Sequence, residues 1–182
     1  MKRITSIALT ILAVSAGAFA QMSDIDKALL AAPAQLKAGA TVVKWKADYT
    51  YDTVRKGTNK LVCFDKSGMP TVRDPFTSEC TSINNLDRVA QNLKFEAIAD
   101  AAARKAAFDK AEADGTRVKP EFGSVFYHAM GADADHITRT HMTIAVPGAT
   151  TQSLGIPDKN NPSSIWIMNA GTTTAHIMTP GE

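Results

Sequence analysis

The longest periodic pattern of apolar and polar positions spans residues 84–114, NNLDRVAQNLKFEAIADAAARKAAFDKAEAD. At 100° per residue, Leu86, Val89, Ala90, Leu93, Ala97, Ala101, Phe108 and Ala111 fall in one broad stripe, the side of a helix that would lie on a sheet. Ser82 or Asn84 offers an N-terminal cap, and Gly115 a stop. Phe95, Ile98, Ala102 and Ala106 lie nearly opposite the stripe. A simple surface helix has no use for a second apolar face. The pattern therefore predicts either a helix covered on both sides or a break near Ala99 and Asp100.

Shorter patterns flank this helix. Residues 41–45 alternate, with Thr41, Val43 and Trp45 on one face and Val42 and Lys44 on the other, as a half-buried strand requires. Residues 49–55 and 60–65 also read as strands, and the intervening Lys56-Gly57-Thr58-Asn59 reads as a hairpin connection. Residues 66–78 are rich in Gly, Pro, Asp and Ser and predict a loop. Beyond the helix, strand content appears at 122–130 and 140–146, separated by a turn-rich break at 131–135 and ended by Pro147. On the second of these, His141, Thr143 and Ala145 face away from Met142, Ile144 and Val146. An irregular stretch, 149–163, precedes a last pair of strands, 164–169 and 174–179, joined through Ala170-Gly171-Thr172. At the other end, residues 21–35 form a short helical arm, which Ser23 caps and Pro33 interrupts.

Strands, helix and strands again predict a single α+β domain over residues 21–182. Its mainly antiparallel sheet of about six or seven short strands packs against the long or broken central helix of 84–114, with the C-terminal strands within 122–179.

Residues 1–20 change the reading of composition. Lys2 and Arg3, an apolar run over residues 4–14 and the small-residue ending Ala18-Phe19-Ala20 form the pattern of a secretory signal peptide, cleaved between Ala20 and Gln21. The apolar run falls short of the ~20 residues that span a bilayer, so no membrane insertion is expected after cleavage. The full chain carries a formal charge of +2, but losing Lys2 and Arg3 leaves 18 basic against 18 acidic residues. No basic block remains to neutralise phosphates, which argues against a nucleic-acid partner. Export, to a periplasm or beyond the cell, also frames the two cysteines. Cys63 and Cys80 are too far apart for a C-x-x-C redox pair and lack further ligands for a metal site, so they predict one disulfide that adds roughly 3 kcal/mol.

Candidate chemistry clusters late in the chain, where all four histidines lie. His141 and His176 would point from one sheet face if their strands were neighbours, serving as general acid and base or as metal ligands with Thr143 beside them. His141-Met142-Thr143 resembles one half of the paired elements of two-histidine phosphoesterases, but His176-Ile177-Met178 lacks the second hydroxyl. Asp133, Asp135 and His136 in GADADH could ligate a divalent cation if the loop curled round it, and no other cofactor is indicated. Trp45, Tyr49, Tyr51, Tyr127 and Trp166 lie on or beside strands; of these Trp166 and Tyr127, with His128, are candidates to wall a ligand pocket, and the 147–163 loop could close over it. Serine-hydrolase, zincin, phosphate-loop and dinucleotide motifs are absent. The sequence thus favours an exported binding or accessory protein for a small molecule or another exported protein. A small hydrolase or metal-dependent enzyme using the C-terminal histidines is the alternative.

Overall fold

The computed structural model describes residues 22–161 and 163–180; residues 1–20, for which a signal peptide is expected, and Gln21 lie outside them. Eight strands, rather than six or seven, form one sheet: β1 (Thr41–Trp45), β2 (Tyr51–Arg55), β3 (Leu61–Asp65), β4 (Phe76–Ser82), β5 (Val125–Asp133), β6 (His136–Ala145), β7 (Trp166–Met168) and β8 (His176–Met178). Their order is β2-β1-β3-β4-β5-β6-β8-β7. Every neighbouring pair is antiparallel except β1 and β3.

Two sequence expectations fail here for physical reasons. The end of the predicted 66–78 loop is strand β4, whose FTSECTS sequence looks like turn material yet is buried along nearly its whole length. A central strand covered on both faces need not alternate, and here hydroxyl side chains occupy interior positions. The Lys56–Asn59 segment is also no hairpin, because β1 lies between β2 and β3. The chain passes over the end of β1 instead, and a Cβ on Gly57 would stand 2.3 Å from the Gly39 carbonyl oxygen. Only glycine allows that approach.

The central helical stretch breaks where its apolar pattern changes face. Ser82 caps a 3₁₀ turn, Ile83–Asn85, which leads into α3 (Leu86–Glu96); the Asp100 carboxylate caps α4 (Ala101–Ala113) by accepting from the Ala103 amide at 2.7 Å. Of the second apolar face, Phe95 enters the seam between these helices, while Ala102 and Ala106 stay exposed. Phe95 meets Phe108 edge to face with centroids 4.9 Å apart, and the Arg117 guanidinium lies over both rings. The N-terminal arm is likewise divided, into α1 (Asp24–Ala28), a 3₁₀ turn (Leu29–Ala31) and, after Pro33, α2 (Ala34–Lys37).

The sheet therefore has two differently covered faces. Val42, Leu61, Cys63 and Cys80 pack under Ala28 and Leu29 of the arm, while Ile167 and Ile177 on the same face pack with Val146, Ala149 and Ile156, next to the one-turn helix α5 (Thr151–Leu154). Cys63 and Cys80 form the expected disulfide. They face each other directly across β3 and β4, so the bond staples two strands rather than the ends of a loop. On the other face, Val43, Trp45, Val62 and Phe64 pack against Leu86, Val89 and Leu93 of α3.

Candidate functional site

Only half of the sheet-facing side of α3 is apolar. Asn85, Arg88, Asn92 and Glu96, spaced by three and four residues, form a polar stripe beside Leu86, Val89 and Leu93. The apolar half lies on β1 and β3; the polar half looks across β4, β5, β6 and β8. Between it and the sheet is a cavity of about 220 Å³, lined by Lys66, Glu79, Arg88, Asn92, Glu96 and His128, with Thr143, Thr174 and His176 at its other side.

Register places these groups. Glu79 of β4 is opposite His128 of β5, which is opposite His141 of β6, giving one row across three strands. Thr143 and Ala145 follow on the same face of β6, and Ala145 is opposite His176 of β8. His141 and His176 therefore share a face, with His176 set four residues further along β6, or ~14 Å at 3.4 Å per residue. The imidazoles brought together are His128 and His141, stacked with centroids 6.1 Å apart and planes 21° apart.

The charges lining the cavity balance, two cations against two carboxylates, and Lys66 pairs with both carboxylates. Lys66 Nζ lies 3.5 Å from Glu79 Oε2 and 3.7 Å from Glu96 Oε2, and these three side chains are only 15, 7 and 18 % exposed. Burial works against the Lys66 ammonium, but the two carboxylates outweigh it and raise its pKa above the ordinary lysine value. Glu79 also lies 3.6 Å from His128 Nδ1. Arg88 donates to the Val118 carbonyl and to Thr174 Oγ1; burial, reinforced by Arg117, lowers its pKa to about 10, where it remains cationic at neutral pH.

The histidines here are neutral near pH 7. Burial depresses His128 despite Glu79, and depresses His141 and His176 as well. His176 Nδ1 lies 2.7 Å from the Thr174 carbonyl oxygen and donates to it, which leaves Nε2 as a lone-pair acceptor at the cavity wall.

The remaining candidates lie elsewhere. Asp133 Oδ1 accepts from the Asp135 and His136 amides, each at 2.9 Å, and lies 2.8 Å from His136 Nδ1, so these residues close the exposed β5–β6 turn on themselves. Among the described residues, no group of three or more His, Cys, Asp or Glu side chains is arranged to hold a metal ion, and no helix is long and apolar enough to cross a membrane. Tyr127 packs on the disulfide side of the sheet. Trp45 lies in the core, edge to face with Phe64. Trp166 is buried and lines a second cavity of about 430 Å³ together with His128 and His141, into which Asn160 of the 147–163 loop also reaches.

Sequence reasoning missed Lys66, Glu79, Arg88, Asn92 and Glu96. The 85-88-92-96 spacing was the available signal, since a polar stripe bordering an apolar one marks a helix edge that covers something polar. No protein-family model, curated protein or solved structure matches this chain. Its site has to be read from its own geometry.

Proposed function

We propose that the chain is an exported, non-catalytic binding protein that takes a small, uncharged polar molecule between α3 and the sheet. One observation carries the reading: the charges lining the cavity balance, Lys66 and Arg88 against Glu79 and Glu96, beside neutral imidazoles and hydroxyls. A charged ligand would unbalance that set of two cations and two carboxylates, whereas a hydroxyl or amide donor would meet His176 Nε2 without disturbing it. At about 220 Å³ the space falls below the ~300–1,000 Å³ of pockets for drug-sized ligands, which favours a compact molecule.

The test is a thermal-shift screen of small neutral polyols and amides against matched carboxylates and amines. Neutral compounds should raise the melting temperature, and His176→Ala with Thr143→Val should abolish the rise. Stabilisation by charged compounds alone, or undiminished in the double variant, would refute the reading. Export is supported by the residue 1–20 pattern and by a disulfide suited to an oxidising compartment. N-terminal sequencing of the mature protein should begin at Gln21.

A hydrolytic reading has a single observation in its favour, the Glu79 carboxylate beside His128, an arrangement that can orient a general base. It requires turnover of small esters or phosphoesters that disappears in His128→Ala. Absence of such turnover leaves binding as the function.

A further inference from the structure

The second cavity has a different chemistry. Met130, Met168 and Met178 line it with His128, His141 and Trp166, so three of the seven methionines in the chain converge there. Among the described residues no carboxylate lines it, and the one charged group that does, Arg139, is paired with Asp74 at 3.2 Å; Arg139 Nη2 also lies 3.1 Å from Met130 Sδ, which occupies that sulfur.

Register orders the others. Met178 of β8 is opposite Thr143 of β6 and Trp166 of β7, so it is the diagonal neighbour of His141 on one side and of Met168 on the other. Diagonal neighbours on adjacent strands are about 7–8 Å apart, within reach of long side chains. His141 Nε2 supplies a second, independent observation: it is buried and has no hydrogen-bond partner among the described residues. A buried ring nitrogen left unpaired is unfavourable, and this one belongs to a residue that shares its cavity with three methionines.

We propose that this cavity binds a soft monovalent metal ion of the Cu(I) and Ag(I) class, with Met178 Sδ and His141 Nε2 as its ligands and the Trp166 ring as a wall. Thioether and imidazole suit soft ions, while hard divalent ions need the carboxylates that this lining lacks. The Arg139 charge opposes a divalent ion more strongly than a monovalent one. An electron-rich indole face attracts a cation. Met168, one diagonal step beyond Met178, completes the soft wall. This site does not depend on the ligand proposed for the cavity under α3.

Both cysteines are held in the disulfide, so no thiolate competes for a soft ion. The probe is Ag(I), titrated as nitrate in chloride-free buffer, followed by tryptophan fluorescence and by equilibrium dialysis. The full mature chain should bind one Ag(I), with a fluorescence change that Trp166→Phe removes. Met178→Leu, a swap that nearly conserves volume and keeps the fold, should weaken binding at least tenfold, as should His141→Ala. Met142→Leu, on the opposite face of β6, should leave it unchanged. The proposal is overturned if Ag(I) is not retained, if Met178→Leu binds it as tightly as the native chain, or if Zn(II) is held with equal affinity.

Discussion

Removing Lys66 is the sharpest test of the paired-charge site. Lys66→Met keeps most of the side-chain length but leaves Glu79 and Glu96 facing each other at 7 and 18 % exposure without a cation. Deleting one partner of a buried ion pair costs about 3–5 kcal/mol, because the remaining charge stays desolvated. The adjoining cavity gives these carboxylates some access to water, so the lower end applies, about 3 kcal/mol. At roughly 2–4 °C per kcal/mol for a domain of this size, the melting temperature should fall by about 10 °C. Urea unfolding of the oxidised protein at pH 7 measures the loss directly. One further result is required. The Lys66→Met/Glu79→Gln/Glu96→Gln variant should recover most of the stability, since the two facing carboxylates are then gone. A Lys66→Met protein within about 1 kcal/mol of the native one would refute the reasoning, because that is the behaviour of solvated surface pairs.

Three further outcomes follow from the same geometry. Burial depresses His128, His141 and His176 in the folded state, so the unfolded chain binds more protons; their contribution is complete above the ordinary value of 6.5 and is lost as pH falls through the folded values. Urea midpoints measured between pH 7 and 5.5 should decline with acidification, and His141→Asn should flatten the slope; a level profile would contradict the assignment. Replacing both Cys63 and Cys80 by Ala should cost roughly 3 kcal/mol in urea unfolding, given their sequence separation of 17. Gly57→Ala should destabilise by about 1–3 kcal/mol, because its methyl group would meet backbone rather than a movable side chain. A Gly57→Ala midpoint equal to the native one would show that the β2–β3 connection can shift aside.

What the sequence revealed depended on whether a residue's burial followed from its own element. β1 was legible in its bounds but not in its burial: read as half-buried, it is covered on both faces, Val42 under the N-terminal arm and Val43 and Trp45 under α3. The break between α3 and α4 was legible as one of two alternatives because Phe95 sits opposite Leu86 and Val89. β4 was not, since Ser78, Glu79 and Thr81 are buried by the strands and helices on either side rather than by their own hydropathy. The His128 and His141 pair lay between these cases. Each stands five residues from the closing pair Asp133 and His136, so a two-residue turn at Ala134-Asp135 would have placed them opposite each other. Reading residues 131–135 as a longer break concealed that register.

The polar stripe on α3 connects the fold to the site. A helix edge carrying Arg88, Asn92 and Glu96 would gain nothing by lying on an apolar sheet, and the sheet beneath it is polar at the matching positions, Glu79, His128, Thr143 and His176. Asn85 anchors the start of this edge, its amide donating to Thr81 and Ser124 at 2.9 Å, and Arg88 ties it to Thr174 in the turn before β8. These bonds fix the height of α3 over β8 and over β5 beyond Phe126, the one β5 side chain that packs on the apolar stripe. The cavity is thus held open from both ends by hydrogen bonds. Arg88→Leu separates that role from simple burial: it restores an apolar contact while cutting the tie to Thr174. If the polar edge sets the height, this variant should close the cavity and abolish any ligand-induced thermal shift at little cost in stability. Retention of the shift would mean that the apolar half of α3 alone positions the helix.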